Sequence, residues 1–547
     1  MFGWPRTGSG TRSTYGVWDS KHVRATLRRK VGRAFGTRQL RELITGPAGS
    51  SPLRTGTGIA VASAAVVTVV GLVGGLLGPR WHPRPFVPKI SLETEDTSIG
   101  GDAPTTPVGT YETTETIVEV QLTETVTVDA RILAPVGAPA GPGILFVHGA
   151  GTGRYDDAFP DQAELLATAG ITTMVPNKRL DTYTTTSRDY VGMAADYLTS
   201  FEILRTWPTV DPEQAGIYAE SEGDWIAPIM AADNPDVAFL AMISAPVVPP
   251  RVQGAYAADN YLRYTHVPQD AFRMIPRILG LTYPPLGFEY FDWEVSEYQR
   301  RCAQPIFMAY GTNDMSMPVV QAAEIVIADA QIAGSPGVTV RYYAAADHGI
   351  RVNKQVSAQF VADLARWIQL LPTDPTPSPQ IAGDTPTYQV FVADPVAKPR
   401  WFANGLGFVA PAVLGVAGVG VAGVLGAGRL ITRRKPALPT VIRGPLAAFA
   451  GLGFAASAGL IWYLRQVADL ALNYRQNDLV VIGGWWTLRG LAIGSAVAGV
   501  VTFVRAGKAP KWRSWTLSGK VISGSAVVGG SAFVYLLAYW GVFPFGQ

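Results

Sequence analysis

The chain has 547 residues, more than one ordinary domain of about 100 to 200 residues holds, and 48% of them are hydrophobic against 16% charged. A soluble globular chain carries about 25% charged residues, so a wholly soluble or a disordered protein is excluded. One cysteine, Cys302, leaves no internal disulfide framework and no multi-cysteine zinc or iron–sulfur site, and five histidines leave little scope for metal chemistry.

Residues 1–55 hold eleven Lys and Arg against Asp19 and Glu42, a local charge of +9. The apolar run 58–78 follows at once, 21 residues without a charge, long enough to cross a hydrocarbon core of about 30 Å. A basic arm abutting such a run reads as a cytoplasmic segment meeting anionic lipid rather than as a nucleic-acid tail. The run is also too long and too far from the start for a signal peptide. We therefore take 1–55 as a basic cytoplasmic arm and 56–78 as a first transmembrane helix. Residues 79–112, rich in Pro, Thr, Ser and acids and without a period, read as an exposed stalk.

Residues 113–371 change rhythm. The alternation over 114–133 suggests an antiparallel strand pair. Beyond it, short apolar strand candidates at 143–147, 171–175, 215–219, 237–243, 305–310 and 338–343 are separated by helix-like segments. That pattern predicts an α/β fold, a mainly parallel sheet with helices on both faces. The stretch 246–304, rich in Tyr, Phe, Arg and Pro, is too long for a simple connection and is expected to be a cap over the carboxyl ends of the strands, where open α/β sheets bind ligands. Cys302, at its end, reads as a small buried hydrophobe.

The chemistry concentrates at strand ends. Glu220-Ser221-Glu222-Gly223 follows the strand 215–219 and precedes the helix-like Trp225-Ile-Ala-Pro-Ile-Met-Ala-Ala232. A nucleophilic serine on a sharp strand-to-helix turn needs small neighbours, and here Ala219 and Gly223 flank it. His148-Gly149-Ala150-Gly151 follows the first central strand and can aim a backbone N–H at an oxyanion, so Ala150 and Glu222 are the expected pair of N–H donors. Asp314 ends Gly311-Thr-Asn-Asp314, and His348 follows the strand 338–343. The chain order Ser221, Asp314, His348 matches one of the known triad orders: His348 as base, Asp314 holding its tautomer, Ser221 attacking an acyl carbon. Asp347 is the weaker candidate acid, because adjacent side chains on an extended chain point apart.

The segment Gly216-Ile-Tyr-Ala-Glu-Ser-Glu-Gly-Asp-Trp-Ile-Ala-Pro-Ile-Met230, with Leu145-Phe-Val-His-Gly149, Tyr310-Gly-Thr-Asn-Asp314 and Asp347-His348, resembles bacterial α/β-hydrolase esterases with a Ser-Glu-Gly-Gly elbow. The resemblance covers roughly 113–371 and implies carboxylic-ester hydrolysis without metal or organic cofactor. The chain departs from the pattern at Ala219 for Gly, Glu220 for His, and Asp224-Trp225 for a small residue followed by an apolar one. Glu220, Glu222 and Asp224 thus crowd acids around the nucleophile, which is expected to raise the pKa of His348.

Seven prolines over 371–400 mark 372–401 as a linker into 402–547, where apolar stretches at 402–428, 444–464, 479–504 and 521–542 bring the count of expected spans to five. The connections fit the positive-inside rule. Arg429, Arg433, Arg434, Lys435 and Arg443 stand unopposed in one, Arg505, Lys508, Lys511, Arg513 and Lys520 in another, and the connection between them balances Arg465 and Arg475 with Asp469 and Asp478. This places 79–402, with 21 basic and 38 acidic residues and a net −17, on the exoplasmic side, a field that disfavours nucleic acid. Arg489, inside the fourth apolar stretch behind Trp485 and Trp486, either snorkels to headgroups or partners a carboxylate or lipid phosphate. The expected function is a membrane-anchored exoplasmic serine hydrolase or acyltransferase acting on acyl esters, lipids among them. The alternatives are a catalytically inactive membrane assembly or transport-associated binding protein, and an exported serine peptidase.

Overall fold

The computed structural model describes residues 56–151, 153–184, 188–283, 288–289, 292–398, 405–510 and 514–543; the basic arm, with Lys511 and Arg513, lies outside them. Nine strands form one mixed sheet: β1 Thr113–Gln121, β2 Thr127–Pro135, β3 Gly141–Val147, β4 Thr172–Pro176, β5 Val210–Glu220, β6 Leu240–Ile243, β7 Ile306–Gly311, β8 Val338–Tyr343 and β9 Ile381–Gly383. Their spatial order is β1-β2-β4-β3-β5-β6-β7-β8-β9, antiparallel at β1/β2 and β2/β4 and parallel from β4 onward. The strand order reverses between β3 and β5, and a crevice at the carboxyl ends of such a pair is where open α/β sheets gather ligands.

Period-2 alternation divides the sheet's side chains between two cores. Leu145, Val147, Ile217, Ala219, Met242 and Met308 point to one face and pack with Met193, Tyr197 and Phe201 of helix Tyr190–Arg205. Ile144, Phe146, Tyr218, Ile243 and Phe307 point to the other and meet Phe360, Leu364 and Trp367 of helix Ala358–Leu370. Side chains stop the first turns of both helices from fraying: the Asp189 carboxylate accepts from Gly192 N and the Ser357 hydroxyl from Phe360 N. Cys302 is 1% exposed, donates to Pro228 O at 3.4 Å, and burial pushes its thiol pKa up to about 12.

Two segments differ from their sequence reading. Within 372–401, taken as a linker, β9 adds a parallel edge strand beside β8. The stretch 79–112, taken as an exposed stalk, is held against the domain: Arg341 Nε donates to Thr97 O at 2.7 Å, Arg366 Nε to Ile99 O at 2.6 Å, and Ile99 is 3% exposed. Proline-rich chain without a period can still pack when distant guanidinium groups satisfy its carbonyls, and periodicity does not report this. Between β6 and β7 the chain forms helix Pro250–Tyr264, a short helical turn Gln269–Arg273, helix Met274–Leu279, a two-residue hairpin Thr282–Tyr283/Phe288–Glu289 and helix Ser296–Gln299.

Among the described residues, four helices are long and apolar enough to cross a membrane: Gly405–Ile431, Thr440–Leu472, Leu479–Ala506 and Leu517–Tyr539. The sequence predicts five. The first expected span is helical over Gly56–Leu77. By compactness the chain divides into two units. One contains the sheet and comprises Gly71–Val416, Gly453–Ile493 and Ala532–Gln547. The other gathers Ala417–Leu452, Gly494–Ser531 and the described residues up to Val70; in it the Ser495 hydroxyl donates to Phe449 O at 2.7 Å.

Candidate active site

β5 runs extended through Glu220 and then turns at Ser221, which has φ 60 and opens the tight turn Ser221–Trp225. A non-glycine residue in that left-handed region costs about 1–3 kcal/mol, so the surrounding structure must impose it. It does so by close backbone approach. A Cβ on Gly223 would lie 2.5 Å from Val147 O, and one on Gly149 would lie 3.1 Å from Glu220 O and 3.3 Å from Ser221 Cβ. The end of β3 and the elbow after β5 are therefore in contact, and Ala219, where the esterase pattern has glycine, is fully buried in the core without disturbing this.

Asp314 and His348 come together. β7 and β8 are parallel neighbours, and the loops leaving their carboxyl ends bring His348 Nδ1 to 2.9 Å from Asp314 Oδ2. The Asp314 side chain is wholly buried and also accepts from Ser316 N at 2.9 Å and Ser316 Oγ at 2.6 Å. Burial pushes its pKa up, but the charge and hydrogen bond of His348 and the two bonds from Ser316 outweigh this, leaving it below the usual carboxylate range. For His348 burial works against the cation, while Asp314 and then Glu220 favour it more strongly, so its pKa stands above the ordinary histidine value. Asp347 is not the partner of His348; its N–H donates to Arg351 O at 2.8 Å.

Gly349, beside His348, has φ 72, donates its N–H to Ser244 Oγ just past β6 at 3.0 Å, and lies so near Glu220 that an added Cβ would be 2.7 Å from Oε1; Arg351 Nη1 donates to Glu220 Oε1 at 3.2 Å and to His348 O at 3.1 Å. Among the described residues the Ser221 hydroxyl makes no hydrogen bond to His348. Ala150 is exposed, and Glu222 is the second residue of its turn, a position whose N–H has no acceptor inside the turn.

The expected crowd of acids at the nucleophile needs correction. The Glu222 carboxylate is buried and turned away into a cationic cage, accepting from Lys178 Nζ at 2.9 Å, Arg188 Nε at 2.6 Å, Tyr183 Oη at 2.8 Å and Tyr190 Oη at 3.3 Å. Burial raises its pKa, yet Lys178 and Arg188 prevail and lower it. Asp224 is wholly buried, and burial together with Glu220 drives its pKa well above the carboxylate range, which favours its neutral form. Glu220 alone reaches His348, with Arg351 Nη1 3.2 Å from its Oε1 as a partial counterweight. Opposite charges 44 residues apart in the chain cannot be paired from spacing.

Lys178 and Ser316 are the residues sequence reading missed. Lys178 also donates to Gly149 O at 3.0 Å, so one ammonium joins the glycine turn after β3 to the residue after Ser221. His148, in the same glycine turn, is buried with Nε2 2.6 Å from Pro176 O, and burial drives its pKa down to about 4, so it is a neutral brace. No group of three His, Cys, Asp or Glu side chains able to hold a metal occurs among the described residues.

No family model and no curated relative matches the chain. Solved structures similar to it include a dienelactone hydrolase from Anabaena variabilis, 19% identical with a TM-score of 0.33, covering 47% of this chain and 97% of that one. DcsB in complex with its substrate analogue is 14% identical, TM-score 0.34, covering 47% and 98%. An esterase from Pyrococcus furiosus is 14% identical, TM-score 0.34, covering 47% and 90%. Likeness at this level carries no argument about this chain, whose chemistry rests on its own residues.

Proposed function

We propose that the chain is a membrane-anchored serine hydrolase or acyltransferase of the α/β-hydrolase fold, with Ser221, His348 and Asp314 as its triad and the N–H groups of Ala150 and Glu222 as its oxyanion donors. The observation that carries this reading is the 2.9 Å hydrogen bond between buried Asp314 and His348 Nδ1, in a loop that Arg351 joins to Glu220, the residue before the strained turn that presents Ser221. Held through Nδ1, the imidazole leaves Nε2 free to act as base. Ser221 Oγ bonds to the acyl carbon while its proton passes to Nε2, and the carbonyl electron pair moves onto oxygen facing the two N–H donors. Collapse of that intermediate breaks the bond to the leaving alkoxide, which takes the proton from His348. Water or an acceptor hydroxyl then repeats the sequence on the acyl-serine and frees the acyl group.

The residues 246–304 serve as the cap in this reading, and the basic connections between apolar helices set the basic arm in the cytoplasm and the hydrolase domain outside. The substrate is an acyl ester, with membrane lipid the favoured class because several apolar helices accompany the site. Labelling of the full-length chain in membranes with a fluorophosphonate probe tests the chemistry. The expected result is a modified Ser221, lost in Ser221→Ala and slowed by a factor of about 10³ to 10⁴ in Asp314→Asn. A folded wild-type protein that takes no label would make the domain a binding module instead, and turnover of amides in preference to esters would make it a peptidase.

A further inference from the structure

Lys178 stands just past β4, and β4, β3 and β5 are consecutive parallel neighbours in the sheet. Its side chain therefore starts on one flank of the glycine turn after β3 and can reach across it to the elbow after β5. That reach is used in full. Nζ donates to Gly149 O at 3.0 Å and to Glu222 Oε2 at 2.9 Å, while the Lys178 main-chain N–H donates to Gly153 O at 2.7 Å. One residue thus grips the chain on both sides of Ala150 and, through a carboxylate, the residue that follows Ser221. The same turn borders the nucleophile: a Cβ on Gly149 would lie 3.3 Å from that of Ser221.

Stability does not account for this arrangement. The Lys178 and Glu222 side chains are 1% and 4% exposed, and a pair buried so deeply often gains nothing over apolar side chains of similar volume, because both ions give up water. The geometry of one peptide does. Gly149 O and the Ala150 N–H belong to a single planar trans unit and point opposite ways, so a hold on the oxygen fixes where the N–H is aimed. A cation on that oxygen also draws charge through the amide and makes its N–H a stronger donor. The ammonium is itself kept in place by the Tyr183 ring, whose centroid is 4.4 Å from Nζ.

Resting on the serine-hydrolase reading above, we propose that Lys178 is a positioning residue of the oxyanion site, its ammonium aiming and polarising the Ala150 N–H through Gly149 O while holding it in register with Glu222. Lys178 touches no reacting atom. Its effect grows as negative charge gathers on the acyl oxygen, so it belongs to the bond-forming step rather than to binding.

The test uses the full-length chain in detergent and two reagents that react at the same serine, an alkyl fluorophosphonate and its P=S counterpart. Oxygen accepts hydrogen bonds well and sulfur weakly, so only the first depends strongly on the oxyanion donors. Lys178→Met keeps the bulk of the side chain and removes the ammonium. It is expected to slow labelling of Ser221 by the P=O reagent about 10- to 100-fold, less than a lost donor costs because the N–H remains, and labelling by the P=S reagent less than about threefold. Arg188→Met also takes one cation from Glu222 but leaves Gly149 O bonded, and should slow the P=O reagent less than about threefold. If Lys178→Met does not fold, Lys178→Met/Glu222→Gln, which leaves no carboxylate unpaired, is measured in its place with the same expectation. Equal slowing with both reagents, an unchanged P=O rate, or an equal loss in Arg188→Met would overturn the proposal while a labelled wild-type Ser221 left the hydrolase reading intact. A wild type that takes neither label would remove that reading and the proposal with it.

Discussion

The Glu222 side chain can be weighed apart from the oxyanion role proposed for its N–H. Its carboxylate neutralises Lys178 and Arg188 in a buried cluster, so Glu222→Gln leaves two cations facing each other without an anion. Removing one partner of a buried pair costs about 3–5 kcal/mol, and a melt of the detergent-solubilised protein should show a loss of that order. The pH response is set by a different acid. Because His348 must be neutral to accept a proton and its pKa is raised, the acidic limb of the Ser221 labelling rate should lie above the ordinary histidine range. Glu220→Gln should move that limb to lower pH, and Arg351→Met to higher; a limb that ignores both substitutions would mean that Asp314 alone sets it. The stability contribution of the same pair has the opposite sense. His348, raised, stabilises the fold below the ordinary histidine value and loses this as pH climbs through its own pKa. Asp314, lowered, stabilises above the ordinary carboxylate value and loses this as pH falls. The pair therefore contributes most between about 4 and about 6.5, below the range in which it works as a base. The positions of Ser221, Asp314 and His348 past strand ends were legible because apolar runs mark the strands, and the structure adds the bond between the last two. Ser316 and Lys178 were not, since a hydroxyl two residues from an acid and a lysine in a loop have no signature until the fold supplies their partners.

The elbow works as an element because β3 and β5 are parallel neighbours at the reversal of strand order. Their carboxyl ends touch at Gly149 and Gly223, and the geometry at Ser221 depends on that contact. Gly223→Ala would place a methyl 2.5 Å from Val147 O, so either the end of β3 or the elbow must move. Overpacking of this kind costs about 1–3 kcal/mol, and Ser221 labelling should slow by more than the loss of folded protein explains. A variant as fast as wild type would show that the contact does not set the serine's position. Strands β3 to β8 were legible as apolar runs bounded by polar loops. β9 was not: three residues amid prolines carry no periodic signal, and only the exposed edge of β8 makes them a strand.

At the scale of the whole molecule, Arg489 and Asp270, both within the sheet-bearing unit, join an apolar helix to the segment between β6 and β7. Of the two sequence readings, the structure gives it a carboxylate, Asp270, with Trp485 and Trp486 rings 5.6 and 5.3 Å from its guanidinium. Arg489→Gln and Asp270→Asn should each lower the melting temperature, and the double variant should lose less than their sum, with a coupling of about 0.5–3 kcal/mol. Additive losses would show that the pair holds nothing together.

Composition, charge and hydropathy by themselves determined that an acidic α/β domain sits between a basic arm and a run of apolar helices, and that a serine, an acid and a histidine follow strands within it. Those properties are local, carried by neighbouring residues and their periods. Tertiary structure decided the rest: how burial and neighbours shift the acids near the candidate nucleophile, which residues hold Asp314 and Glu222, and that Asp270 partners Arg489. Each of these joins groups tens to hundreds of residues apart, and their energies depend on burial and distance, which no spacing along the chain encodes.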